Sequence, residues 1–262
     1  HFVKFVELLA PHGVNPQKQI DKAREMYQYG IDIINIPDGP RASARMSALL
    51  MAVLIQREVG IETLLHYVTR DRNVIGMQSD LLGAYAMGLK NILGLTGDPP
   101  KIGNYPDATA VFDVDSIGLI NIINRLNHGL DIAGNPIGEP TGYFIGCGAN
   151  PGAINMDEEL RRINWKVEAG AQFIVTQPVF DVDILANFLK KIEHLNVPLI
   201  AGLWPLTSIR NAEFMNNEIP ECHVPDPILK RLRAVSDSKE KSREEGIQVA
   251  RESLEEMMQM DI

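Results

Sequence analysis

Seven short apolar segments, separated by helix-like stretches, most constrain what this chain can fold into. They are Phe2–Leu9, Ile31–Ile36, Thr63–Val68, Asn91–Leu95, Gly142–Cys147, Phe173–Thr176 and Pro198–Leu203. Several end in small or polar residues, as in Ile36-Pro37-Asp38-Gly39, Leu95-Thr96-Gly97-Asp98 and Thr176-Gln177-Pro178, where a buried strand meets a loop. Between them, Pro16–Gln28 places Ile20, Ala23 and Met26 at helical spacing, and Met156–Ala169 separates charge from Leu160, Ile163 and Val167. Regular alternation of strand and helix predicts an α/β fold with a parallel sheet. No Gly-rich dinucleotide or P-loop signature follows any strand, so the 262-residue length fits a (β/α)8 TIM barrel better than a Rossmann domain.

Beyond Pro225, Asp226–Val235 and Lys239–Met260 read as charged helices, and the eighth strand is not evident before Ile262. The expectation is one barrel domain over residues 1–262, one strand short, with Pro99–Ala110 and His128–Thr141 as long loops of the kind that carry function. The start at His1, with strand-like residues at once, predicts a domain cut or processed from a longer protein.

Composition excludes several functions. A hydrophobic fraction of 45% with 23% charged residues belongs to a folded chain rather than a disordered one. No long uncharged apolar run or basic leader is present, so a membrane partner is not expected and the localisation expected is cytoplasmic. The net charge of −9 opposes a polyanion, so no nucleic-acid partner is expected. Cys147 and Cys222 lie far apart without zinc-ligand spacing, so no metal is expected and both should be reduced thiols.

Candidate chemistry gathers at the strand ends. Glu7 interrupts the apolar first strand, where burial would raise its pKa and fit it for general-acid work; a core ion pair is the alternative. Asp98 follows the fourth strand through Thr96-Gly97 and would project over the strand ends, or serve as a turn or cap residue. His66 lies in a segment where Thr69, Arg70 and Asp71 also gather, and a satisfied core histidine is its ordinary role. Gln177 offers a donor and an acceptor suited to a heterocycle, or to backbone groups inside the barrel. Arg162 and Lys166, four apart on one helix, could hold a diphosphate or form a solvated face; the Asn150-Pro151-Gly152 turn opens the same region.

Together the segments Val6-Glu7-Leu8-Leu9-Ala10-Pro11, His66, Leu95-Thr96-Gly97-Asp98, Lys166-Val167-Glu168-Ala169-Gly170-Ala171 and Thr176-Gln177-Pro178-Val179-Phe180-Asp181 resemble the methylenetetrahydrofolate reductase family over almost the whole chain. The resemblance implies a flavin-dependent oxidoreductase that converts 5,10-methylenetetrahydrofolate to 5-methyltetrahydrofolate, with FAD as cofactor and NADH or NADPH as electron donor. It implies Glu7 as general acid for opening the five-membered ring and Asp98 as the charge that stabilises the resulting iminium. Gln177 and Asp98 would contact substrate. His66, Thr96, Gly97, Asp98, Asn150, Ala153, Glu159, Arg162 and Lys166 fall on flavin-binding positions.

The chain departs from the single-function bacterial pattern at Ile36-Pro37-Asp38-Gly39, where a Thr-Tyr-Gly type motif is usual. It departs also at Thr96 in place of Arg, Asn150 in place of His, and Ile209 in place of an aromatic residue. These departures resemble the reductase half of bifunctional proteins with an N-terminal homocysteine methyltransferase domain; a homo-oligomer is a further possible arrangement. Two other readings stay open at this level. One is a non-catalytic flavin-binding or partner-contacting subunit, and the other a folate- or homocysteine-linked methyltransferase barrel, which the absence of a cysteine cluster disfavours.

Overall fold

The computed structural model describes residues 2–219 and 222–260. The expectations attached to His1 and Ile262 therefore lie outside the described residues. Seven strands alternate with helices: β1 (Phe5–Glu7), β2 (Ile33–Ile36), β3 (Glu62–Val68), β4 (Asn91–Leu95), β5 (Phe144–Ala149), β6 (Phe173–Pro178) and β7 (Leu199–Gly202). The helices are α1 (Gln17–Gln28), α2 (Ala48–Val59), α3 (Val74–Ala86), α4 (Ser116–Asn127), α5 (Met156–Glu168), α6 (Val182–Ile192), α7 (Ile209–Glu218), α8 (Asp226–Ala234) and α9 (Lys239–Met257). This is the parallel α/β architecture expected of a (β/α)8 barrel, with no eighth strand among the described residues.

The chain forms two compact units, residues 1–147 with 168–172, and residues 148–167 with 173–262. In the first, β1 to β4 and the start of β5 pair in parallel in chain order. The register aligns Glu7 with Asn35, Asn35 with Leu64, and His66 with Leu93. The helices carry the reason for their own starts. Asn73 caps α3 by accepting from Gly76 N at 2.9 Å, and Asp115 caps α4 by accepting from Ile117 N at 3.0 Å and Gly118 N at 3.1 Å. Ile34, Ile36, Leu65, Met51, Ile55, Met77 and Leu81 are fully buried and fill the layer between sheet and helices.

In the second unit, β6 pairs in parallel with β7, with an irregularity between Val175 and Pro178. Asp181 caps α6 by accepting from Asp183 N and Ile184 N. Phe180, Leu206, Ala212, Met215, Val224, Leu229 and Leu232 form an apolar cluster that ties α7 and α8 together. Ile209 packs against this cluster as the first residue of α7.

Only β4 keeps the bounds expected from sequence, and for the first and fifth strands the difference has an identifiable reason. The first strand is shorter than Phe2–Leu9 because Phe2 and Val3 stay exposed while Lys4 N donates to the Asp32 carboxylate. The fifth begins at Phe144 rather than Gly142 because Asn127, the last residue of α4, captures Tyr143: its Nδ2 donates to Tyr143 O, and its Oδ1 accepts from Tyr143 N. The N–H and C=O that Tyr143 would offer a neighbouring strand are therefore spent on a helix end. The long loops are ordered by local bonds. Pro99–Ala110 contains a 3-10 turn at Pro100–Ile102, and His128–Thr141 closes through the Leu130–Pro136 bridge.

Candidate functional site

The first unit presents two unlike sheet faces. Thr63 Oγ1 donates to Gln56 of α2 at 2.7 Å and Tyr67 OH donates to Asp80 of α3 at 3.0 Å, so the odd-numbered residues of β3 face the helices. Alternation then turns Leu64 and His66 to the opposite face, and the register carries Asn35 and Glu7 to that face with them. Three polar groups thus share one face of the sheet with the buried Leu64 and Leu93.

Their protonation states differ. Desolvation raises the Glu7 carboxyl above its ordinary value, although its side chain retains solvent contact at the strand end. The two facts agree, since an opening exposes area while the surrounding protein still thins the hydration of the charge. No hydrogen bond or ion pair neutralises this carboxyl among the described residues, which removes the core ion pair as its role. Burial lowers His66 to about 4, so its imidazole is neutral at pH 7, and its Nε2 is buried without a partner. Asn35 Oδ1 is likewise buried without a partner. Two orphaned polar atoms on one face fit a polar group that the protein itself does not supply.

At the carboxyl ends of β2 to β4 the polar network is dense. Asp98 is exposed, and its Oδ2 accepts from Arg41 N at 2.8 Å, so one carboxylate oxygen holds the loop after β2. Gly97 adopts φ +90°, where a side chain would strain the backbone, and an added Cβ would stand 2.9 Å from Val68 Cβ. Thr96 Oγ1 accepts from Ser116 N at 2.9 Å and so anchors the start of α4. Asp38 accepts from Val68 N at 3.2 Å and from Arg72 Nη1 at 2.7 Å. Arg70 is buried and grips Asp71 through two nitrogens, while its Nη1 donates to Gly39 O at 3.2 Å and Asp98 O at 3.3 Å. Sequence reasoning noted Arg70 only as one member of a cluster; the Thr69-Arg70-Asp71-Arg72 run, beside Asp38-Gly39, was the available signal.

A depression of about 480 Å³ in this unit is lined by His12, Val14, Arg45, Met46, Asn104 and Tyr105. None of the residues assigned from sequence lines it.

In the second unit, Lys166 is buried on the same side of α5 as Ile163, which excludes the solvated-face reading for it. Its Nζ donates to Gly148 O at 2.7 Å, and no carboxylate pairs with it among the described residues. A buried ammonium with one carbonyl partner fits an anionic group such as a cofactor phosphate. Arg162 lies one turn earlier on α5 and is half-buried. The turn before α5 is built by its own residues. Asn150 Oδ1 accepts from Gly152 N, Asn150 N donates to Glu159 Oε1 at 2.8 Å, and Ala153 N donates to Asn150 O. One Glu159 oxygen and the Asn150 side-chain oxygen therefore shape the loop. Gln177, at the end of β6, is exposed, and its side-chain amide makes no hydrogen bond among the described residues, so its donor and acceptor are not spent on backbone groups. Neither Cys147, in the first unit, nor Cys222, in the second, is in a disulfide, and burial raises the Cys222 thiol.

The model of the family described as methylenetetrahydrofolate reductase matches residues 2–262. The chain is 28% identical over 202 residues to methylenetetrahydrofolate reductase 1 of Schizosaccharomyces pombe, covering 75% of this chain and 31% of that one. It is 27% identical over 254 residues to methylenetetrahydrofolate reductase 2 of Saccharomyces cerevisiae, covering 92% and 40%. It is 24% identical over 250 residues to methylenetetrahydrofolate reductase (NADH) 1 of Arabidopsis thaliana, covering 91% and 40%. The chain thus spans 31% to 40% of the length of these relatives. Among solved structures, a deoxyribose phosphate aldolase from Aeropyrum pernix covers 90% of each chain at a TM-score of 0.51 and 10% identity, a likeness of fold alone. The strand-end residues, the parallel α/β fold and a family match from residue 2 to residue 262 converge, and the chain belongs to the methylenetetrahydrofolate reductase family.

Proposed function

We propose that residues 1–262 form one reductase domain of a longer cytoplasmic protein that reduces 5,10-methylenetetrahydrofolate to 5-methyltetrahydrofolate. The observation that carries this reading is Glu7, an unpaired carboxyl with a raised pKa on the sheet face that also holds neutral His66. A carboxyl that keeps its proton can donate it to a ring nitrogen of the substrate. The carbon–nitrogen bond of the five-membered ring then breaks, its electron pair passes to that nitrogen, and a cationic iminium remains. Asp98 keeps Oδ1 uncommitted among the described residues while Oδ2 serves the loop, so its negative charge is available to stabilise that cation. Gln177 presents an amide suited to the donor and acceptor edge of a pterin.

FAD is the cofactor this reading requires; when bound and reduced, it supplies the hydride that completes the methyl group. In the first unit, His66, Thr96, Gly97 and Asp98 are the residues assigned to it. The resemblance assigns Asn150, Ala153, Glu159, Arg162 and Lys166 to it as well, and the buried Lys166, with one carbonyl partner, supports a phosphate contact. The resemblance supports NADH or NADPH as the electron donor.

The test is the visible spectrum of the purified chain, followed by anaerobic addition of methylenetetrahydrofolate to the chemically reduced protein. Oxidised-flavin bands that return on folate addition are expected. Bound flavin that stays reduced would instead favour a non-catalytic flavin-binding subunit.

A further inference from the structure

The proposed chemistry uses Asp98, but the structure shows a second charged group that decides where Asp98 stands. Arg70 is 4% exposed at the end of β3. Its Nε and Nη2 donate to the two carboxylate oxygens of Asp71 at 2.8 and 2.7 Å, so the neighbouring residue neutralises the buried guanidinium. That leaves Nη1, which donates to the carbonyl of Gly39 after β2 and to the carbonyl of Asp98 after β4. The same two loops are joined a second time, because Asp98 Oδ2 accepts from Arg41 N.

Small residues make this closeness possible. Gly39 has φ +53°, and a Cβ there would stand 2.7 Å from Arg70 Nη2; a Cβ on Gly97 would stand 3.4 Å from Arg70 Cβ. Arg70 O also accepts from Val111 N at 2.8 Å, which brings the segment before α4 against the same side chain's backbone. Only a planar fork can hold a carboxylate with two nitrogens and aim a third at carbonyls; a lysine has one nitrogen for all of them.

We propose that Arg70 is a positioning residue of the reductase: by fixing the carbonyls of Gly39 and Asp98 together, it holds the Asp98 carboxylate against Arg41 N and aims the remaining oxygen at the substrate. This rests on the function proposed above for Asp98. The role belongs to the fork geometry and not to the charge, so Arg70→Lys should behave like Arg70→Gln rather than like the wild type.

The experiment uses the wild-type chain, Arg70→Lys, Arg70→Gln, Asp98→Asn and the double variant Arg70→Lys/Asp98→Asn, all with flavin bound. Circular dichroism first identifies the variants that fold, and Arg70→Lys is the milder change should Arg70→Gln fail. Amide hydrogen exchange over residues 38–43 is the readout that needs no turnover. We expect at least tenfold faster exchange at Arg41 in Arg70→Lys, approaching the rate in Asp98→Asn. The second readout is the rate of flavin reoxidation by methylenetetrahydrofolate. We expect a 10- to 100-fold loss in Arg70→Lys, and less than a threefold further loss when Arg70→Lys is added to Asp98→Asn.

Wild-type exchange at Arg41 in Arg70→Lys would overturn the proposal, as would rate losses that multiply independently in the double variant. If the wild-type chain itself does not reoxidise with folate, the proposed function fails. Unprotected Arg41 exchange in Arg70→Lys would then still show that Arg70 sets the Asp98 geometry.

Discussion

Glu7 and His66 share a sheet face, yet burial moves them in opposite directions, and each gives a separate test. Desolvation favours the neutral form of both, so it raises the Glu7 carboxyl and lowers the His66 imidazole. Glu7→Gln removes the transferable proton while preserving shape. It is expected to retain flavin and its reduction by the electron donor, but to slow folate-dependent reoxidation by about two to four orders of magnitude, the usual range for a general acid. Stopped-flow measurement of the two half-reactions checks this, and unchanged reoxidation would end the assignment. For His66 the sign runs the other way from a salt-bridged histidine. Its folded pKa of about 4 lies below the ordinary histidine value of 6.5, so the unfolded chain takes up the proton first and stability falls as pH drops from 6.5 toward 4. Between pH 6.5 and pH 5 the wild type should lose roughly 1.5 kcal/mol more than His66→Leu in urea denaturation. Glu7 contributes the opposite slope, because its cost fades as the carboxyl protonates, and the comparison between two proteins that both carry Glu7 cancels it. His66 and Glu7 could be named from the sequence because each is a polar residue inside an apolar strand. Their facing direction could not, since it depends on which alternation the helices cover.

At the scale of elements, α4 and the β4 loop are coupled through helix-start chemistry. Asp115 satisfies two amides at the start of α4, those of Ile117 and Gly118, and the amide just before them, Ser116 N, is satisfied by Thr96 Oγ1 after β4. Behind them Gly94 permits close contact, since a Cβ there would lie 3.1 Å from Ile120. Asp115→Ala is therefore expected to cost about 1 kcal/mol, measured as a shift in urea midpoint, and to raise amide exchange in residues 95–98. A midpoint equal to wild type would show that Thr96 alone secures the helix start. The strands were legible as apolar runs with punctuated ends, and β4 appears with the bounds its sequence suggests. The start of β5 was not legible, because Tyr143 is drawn away by Asn127, a contact between residues 16 apart that no local pattern announces. The roles of Thr96 and Glu159 were similarly hidden, because each spends a side-chain oxygen on a backbone amide of a neighbouring turn or helix.

At the scale of the whole molecule, the polypeptide leaves the first compact unit at residue 147 and returns to it for residues 168–172. The return is not incidental. Gln172 N donates to Ile145 O at 2.7 Å, Gln172 Oε1 accepts from Ile145 N at 3.1 Å, and Gly170 approaches Asn124 so closely that a Cβ would stand 2.6 Å away. A fragment of residues 1–147 would leave both polar groups of Ile145 unsatisfied and one side of Asn124 bare. It is expected to show less cooperative thermal unfolding by circular dichroism than the full chain, and a midpoint equal to that of the full chain would reject this account. Among the described residues no helix is long and apolar enough to cross a membrane.

The sequence by itself determined the order of elements, the parallel α/β class, and the family, because strand patterns and strand-end motifs are local and survive without knowledge of contacts. It also singled out Glu7, Asp98, Lys166 and Gln177, each a polar residue at a place where a strand end or helix face makes it conspicuous. Only the tertiary structure decided that Glu7, Asn35 and His66 share one face, that Lys166 is buried beside a single carbonyl, and that Arg70 binds two loops at once. The reason is physical: facing, desolvation and the choice among hydrogen-bond partners are set by residues that lie tens of positions away in the chain, and they take their values only when the sheet is assembled.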